Sequence, residues 1–260
     1  MTAEARRLPK YKKPPVVEVA IGVRFKPLPR FTSAYFGKFW ALNPEYVDAQ
    51  DFPPLIESVT AELLQLPPLR RVFLTTADNN FLIQLQSDFF GHNWRKGKPT
   101  DEYPSFEQAK ARFINKWANF QKFVGDHKLG DLQLARYEVT YVNHFVDQPG
   151  AFPLAIDKYS PVLKLRSPSP EYFLPLAKSL LAQIDFEIPD NRGTLLVSFK
   201  QGVRQPDGAE VMQVDLTART GAKPDGSDLL DWLEIAHEWI VRGFTDLTSE
   251  EAHKLWERVI

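Results

Sequence analysis

FLIQLQSDFF (81–90), followed by SFEQAKARFINKWANFQKF (105–123), decides the fold. In the first stretch Phe81, Ile83 and Leu85 share one face while Leu82, Gln84, Gln86 and Asp88 share the other, the period-two alternation of a strand. In the second, Phe106, Ala109, Phe113, Trp117 and Phe120, with Val124 just beyond its end, recur at three- and four-residue steps. A helix opening at Ser105 therefore carries a wide aromatic stripe. The same order returns in EVMQVDLTAR (210–219) and SDLLDWLEIAHEWIVRGF (227–244), where Leu229, Leu233, Ala236, Ile240 and Phe244 line one helical face. Each unit is preceded by a further strand, RVFLTTA (71–77) across Asp78-Asn79-Asn80 and GTLLVSFKQ (193–201) across Gln205-Pro206-Asp207-Gly208. Asp, Asn and Gly tolerate the left-handed backbone that such turns need.

These patterns predict an α+β fold, a largely antiparallel sheet packed by long amphipathic helices, in one domain over 15–260. Two β-β-α halves, about 15–146 and 179–260, are joined by a proline-rich connection over 147–178 that includes a short strand at VLKLR (162–166). Internal duplication and chance likeness both account for the halves. The element order also allows a helix-grip-like sheet with an inserted helix, with a ligand cavity between the sheet and the last long helix.

Working outward, Val17, Val19, Ile21, Val23 and Phe25 alternate with polar or small residues, which predicts an opening strand stopped by Pro27 and Pro29. Helices are expected from Thr32 or Ser33 to Trp40 and from about 54 to 65. The segment 91–104 is polar and reads as a loop. In LARYEVTYVNHFV (134–146), Tyr137, Val139, Tyr141 and Asn143 face one way and Glu138, Thr140, Val142 and His144 the other. Thr248-Ser249-Glu250-Glu251 has the form of a capping box before the last helix.

Composition bounds the function classes. Hydrophobic residues make up 43% of the 260 residues and charged residues 25%, values of an ordinary globular chain. With no cysteine, thiolate catalysis, disulfides and Cys-based zinc sites are excluded. The chain shows no apolar leader and no run of 18 apolar residues, which predicts a soluble, cytoplasmic protein. Its 32 Lys+Arg against 33 Asp+Glu give no electrostatic case for a nucleic-acid or membrane surface. The local exception is a basic, flexible tail over 1–14 carrying Arg6, Arg7, Lys10, Lys12 and Lys13, either a solvated terminus or an arm for phosphate or an acidic partner.

No phosphate-binding glycine loop, nucleophile elbow or paired-histidine zinc helix is present, and the five histidines are scattered. No catalytic residue, metal ligand or cofactor is therefore assigned. The candidate pocket or interface residues are Gln84, Gln86, Asp88, Asn93, Trp94 and Arg95 in one segment and Tyr137, Tyr141 and Asn143 in another. The first group offers donors and acceptors on one strand face, with an arginine suited to a carboxylate or phosphate. The preferred expectation is a non-enzymatic module for a small-molecule or protein partner. The alternatives are a hydrolase or nuclease using Asp88, Arg95, Glu138 and His144, and an RNA-binding accessory protein.

The strings PVVEVAIGVRF (15–25), QLQSDFFGHNWRKG (84–97), YPSFEQAKARF (103–113), RYEVTYVNHF (136–145) and AHEWIVRGFTDLTSEEAHKLWERV (236–259) span the chain. Together they resemble a sporadically distributed family of uncharacterised bacterial proteins of about this length. The resemblance implies an accessory component of horizontally transferred systems, of defence or toxin–antitoxin type. It carries no activity to any residue.

Overall fold

The computed structural model describes residues 7–54, 69–146, 173, 181–203, 208, 210–221 and 228–260. The described strands are β1 (Val16–Phe25), β2 (Tyr46–Phe52), β3 (Arg71–Thr76), β4 (Phe81–Gln86), β5 (Phe89–Arg95), β6 (Leu134–Val146), β7 (Leu181–Ile188), β8 (Gly193–Val203) and β9 (Glu210–Thr220). The helices are α1 (Ser33–Ala41), α2 (Phe106–Asp126), α3 (Leu229–Leu247) and α4 (Glu250–Leu255). All nine strands form one antiparallel sheet in the order β2-β3-β4-β5-β1-β6-β9-β8-β7. The fold is α+β, as the alternating strand and helix periods predict. No described helix is long and apolar enough to cross a membrane.

The sheet order has a two-fold pattern about the β1–β6 pair. On one side β1 pairs with β5 and then β4 and β3; on the other β6 pairs with β9 and then β8 and β7. Each last strand is followed by a long helix, α2 or α3. Each side therefore holds a strand, a three-stranded meander and a helix, with β6 beginning the second of these units. The sheet does not grip a single helix: α2 packs on β5 and β1, and α3 packs on β9 and β6.

Pleating sends alternate side chains to opposite faces. Val19, Ile21 and Val23 of β1 register with Tyr141, Val139 and Tyr137 of β6, and all are buried. Phe25 at the end of β1 packs on Trp117 and Phe120 of α2. The aromatic stripe of α2 read from the sequence is its buried face, with Phe106, Phe113, Trp117 and Phe120 at 5% exposure or less. Ser105 caps that helix, its hydroxyl accepting from the Gln108 amide at 3.3 Å. At α4 the cap is Ser249, accepting from Ala252. Thr248 instead donates to the Phe244 carbonyl at 2.7 Å and closes α3.

Three expectations are corrected. Residues 91–95, expected to begin a loop, belong to the central strand β5, which sits between β4 and β1 with both faces covered. Full burial removes the polar side of the alternation, and Asn93 and His92 are buried in consequence. Tyr46–Phe52, not recognised in the sequence, is the edge strand β2. The basic tail is docked from Lys10 onward. The Lys12 and Lys13 amides donate to the carbonyls of Glu257 and Trp256, and the Val259 amide to that of Lys10. Arg6, the helix expected over 54–65 beyond its first residue, the connection over 147–178 apart from residue 173, and its strand at 162–166 lie outside the described residues.

Candidate functional site

A cleft of about 1150 Å³ lies on the helix face where the two units meet. Its floor is β6 and β9. Tyr141 and Asn143 are on the face of β6 that turns toward the helices, and Leu216 is the β9 partner of Tyr141. One wall is α3, which contributes Glu234, His237, Val241 and Phe244 at helical spacing. The opposite wall is the 96–105 loop and the first turn of α2, and residues 7–16 of the N-terminal arm complete the lining.

Aromatic contacts fix the floor. The Phe106 and His237 rings stack at 4.0 Å with 14° between planes, joining α2 to α3. Tyr141 lies beyond His237, nearly parallel, at 6.2 Å. The hydroxyls of Tyr103 and Tyr141 hydrogen-bond at 2.9 Å, and the Tyr103 ring packs on Trp94 at 5.2 Å. Asn143 donates from Nδ2 to the Val214 carbonyl at 3.1 Å. Burial holds His237 down to about 4, and it raises Tyr103 and Tyr141 above the ordinary phenol range. At neutral pH the polar groups of the floor are thus uncharged donors and acceptors.

Charge is placed at the edge of the cleft. Lys110 bridges Glu107 (2.7 Å) and Glu234, which ties α2 to α3 across the rim. Lys12 and Lys13 pair with Glu257. At the loop end Asp101 accepts from the Asn80 side chain and the Lys98 amide, both at 2.7 Å. Ser105 has φ 152° and ψ 163°, a region otherwise almost reserved for glycine. The cap of α2 is therefore also a strained residue in the cleft wall.

The arm is latched by Tyr11. Its hydroxyl bonds Thr245 Oγ1 at 2.9 Å, and its ring meets Phe244, His253 and Trp256 at 5.7, 5.6 and 6.1 Å. Lys12 and Lys13 are both about two-thirds exposed or more, at 68% and 72%, so their ion pairs add little. Tyr11→Ala is expected to release the arm without unfolding the sheet. Limited trypsin digestion should then cut at Lys10 or Lys12 at least tenfold faster than in the wild type, at an unchanged rate elsewhere. Equal rates at these lysines would show that Tyr11 does not hold the arm.

The residues singled out in the sequence divide between the two faces of the sheet. Tyr141 and Asn143 line the cleft, and Trp94 supports Tyr103 beneath it. Tyr137 is on the same face but deeper, with Trp232 at 6.0 Å. Gln84, Gln86, Asn93 and Arg95 are on the face opposite the helices, in register with Gly91, Phe89, Leu82 and Glu18. There Gln86, Asn93 and Arg95 bind neighbouring residues. Asp88 accepts from Gln86 at 2.7 Å and from Arg24 at 3.2 Å, Asn93 donates to Glu18, and Arg95 Nε donates to the Asn79 carbonyl at 3.1 Å.

The four residues of the hydrolase alternative are not brought together. Asp88 is engaged by Arg24, and Glu138 lies between Arg136 (3.5 Å) and Arg219 (3.4 Å). His144 shares the face of Glu138 but is about 20 Å along the strand, at about 3.3 Å per residue. Among the described residues no group of three or more His, Cys, Asp or Glu side chains is arranged to hold a metal ion.

The sequence reading missed Tyr103, Phe106 and His237 as site residues. Tyr103 stood in a polar, proline-flanked loop, Phe106 matched the ordinary core stripe of its helix, and His237 was one of five scattered histidines. Comparison with protein-family models, curated proteins and solved structures gives no match, so the geometry alone supports a reading of this cleft.

Proposed function

We propose that the protein is a binding module that receives a small ligand in the cleft between α2 and α3, beneath the N-terminal arm. The observation that carries this reading is the cleft itself. Its volume of about 1150 Å³ lies just above the usual span of small-molecule sites, about 300 to 1000 Å³. Its lining joins apolar side chains to a few converging polar groups, the composition of a site that orients a ligand. Those groups are already paired with one another, as in the Tyr103–Tyr141 hydroxyl bond, so they fit recognition more readily than proton transfer.

Val241, half-buried on α3, lines the cleft without belonging to the buried core. Val241→Trp is expected to fill the space with little effect on folding. The neutral fluorescent probe N-phenyl-1-naphthylamine should bind the wild type saturably at one site. The variant should bind it at least tenfold more weakly, a loss of about 1.4 kcal/mol, with an unchanged unfolding midpoint. Non-saturable binding, or equal affinity in the variant, would remove the cleft as the ligand site.

A further inference from the structure

We propose that the cleft selects amphipathic anions, molecules whose apolar or aromatic body lies on the floor and whose single acidic head meets the arm at the rim. The inference rests on the binding reading above and names the ligand class of that site.

The charges lining the cleft fall into two sets. One set cancels only as a whole: Lys12 and Lys13 share Glu257, which leaves one positive charge, and Glu107 and Glu234 share Lys110, which leaves one negative charge. Asp101 is occupied by the Asn80 side chain and the Lys98 amide. In the other set Arg7, Lys10 and Lys96 line the cleft and make no ion pair among the described residues. Glu102 is the carboxylate that stands in the same position. Three cations against Glu102 and Asp101, whose hydrogen bonds to neutral groups leave it charged, give an excess of one positive charge at the mouth. Backbone bonds fix where two of these residues sit, since the Lys96 amide donates to Val17 at 2.7 Å and Lys10 accepts from Val259 at 2.8 Å. The side chains themselves reach from an anchored backbone into solvent and can close on a head group.

The floor argues for the other half of the ligand. Leu216, Ile240 and Phe244 are buried and apolar, while Phe106, His237 and Tyr141 present nearly parallel rings. A charge brought to this depth would lose its hydration and find only neutral partners. An apolar body loses nothing there, and a neutral oxygen or nitrogen on it can meet the tyrosine hydroxyls or Asn143. Polarity thus rises from floor to rim, and the rim is cationic.

Two probes with one aromatic body separate the two claims. N-Phenyl-1-naphthylamine is neutral, and 8-anilinonaphthalene-1-sulfonate adds one sulfonate. In fluorescence titrations of the full chain, the sulfonate is expected to bind roughly tenfold tighter, as partly exposed ion pairs of about 0.2–1 kcal/mol each would give for three cations. The preference should shrink as salt is raised. In Arg7→Gln/Lys10→Gln/Lys96→Gln the ratio of the two affinities should fall to about one. If both probes bind and lose affinity in Val241→Trp, but the sulfonate has no advantage, the anion assignment is overturned and the cleft stands. If the advantage survives the triple substitution, these three residues are not its source and the assignment is overturned. If neither probe responds to Val241→Trp, the cleft reading itself is what fails.

Discussion

Phe120→Ala is expected to lower the unfolding free energy by about 3–5 kcal/mol, the range for emptying a fully buried aromatic site. Phe120 has no exposed surface, and it joins more elements than any neighbouring ring. It stacks on Phe90 of β5 at 4.8 Å and meets Phe39 of α1 edge-on at 5.5 Å. Phe25 of β1 and Trp117 of its own helix lie at 5.8 Å. Such contacts contribute beyond area burial through ring geometry, and the sheet below cannot close the gap without shifting β1 or β5. Urea denaturation should therefore show a lower midpoint at unchanged slope. Phe120→Leu, which keeps most of the volume, should cost clearly less. A loss below about 1 kcal/mol for the alanine variant would mean that α2 is not seated on the sheet as described, and the wall of the cleft would go with it.

Gly193→Ala is expected to destabilise by about 3 kcal/mol or more, through backbone strain of about 1–3 kcal/mol together with an overpacking cost of similar size. Gly193 opens β8 at φ +154°, and a Cβ there would stand 2.0 Å from the Arg219 carbonyl oxygen and 3.0 Å from its carbon. Both are backbone atoms of β9, held in the ladder that pairs Thr194 with Arg219, so they cannot swing aside. Gly125, in the last turn of α2, is the internal control. Nothing lies within 4 Å of its added Cβ, and Gly125→Ala should stabilise by about 0.5–1 kcal/mol through helix propensity. If Gly193→Ala proves as mild as Gly125→Ala in the same denaturation experiment, the β8–β9 register is wrong.

These two positions also show what the sequence could and could not reveal. The stripe containing Phe120 was legible because a helix with one buried face must repeat its apolar residues at that period. The β1 alternation was legible for the matching reason in a strand. β5 was not, since a strand covered on both faces has no polar side to alternate with. Its histidine and asparagine looked like loop residues, although Asn93 has no exposed surface and donates to Glu18. The docked arm had its signal in Tyr11, a large aromatic within a basic, proline-flanked run, but its partners Phe244 and Trp256 come from the far end of the chain.

The candidate site was half legible. Tyr141 and Asn143 could be placed on one strand face, and the sheet puts that face toward the helices. Gln84, Gln86, Asp88 and Arg95 were conspicuous as polar residues in an apolar sequence, yet Gln86 serves Asp88 and Arg95 serves the adjoining turn. What no local pattern encodes is the meeting of Tyr103, Phe106 and His237 at the junction of the two units. That meeting depends on α2 and α3 packing side by side on one face, a property of sheet order rather than of any segment.

Hydrogen–deuterium exchange with and without 8-anilinonaphthalene-1-sulfonate tests the central claim most directly. If the ligand occupies the cleft, protection should rise in three separated segments together: the arm at 10–16, the loop and first turn at 99–107, and α3 at 234–244. The outer strands β2 and β7 should exchange as before. Protection confined to the opposite sheet face around Asn93 and Glu138, or none in the three segments while the probe is bound, would contradict a ligand site between α2 and α3.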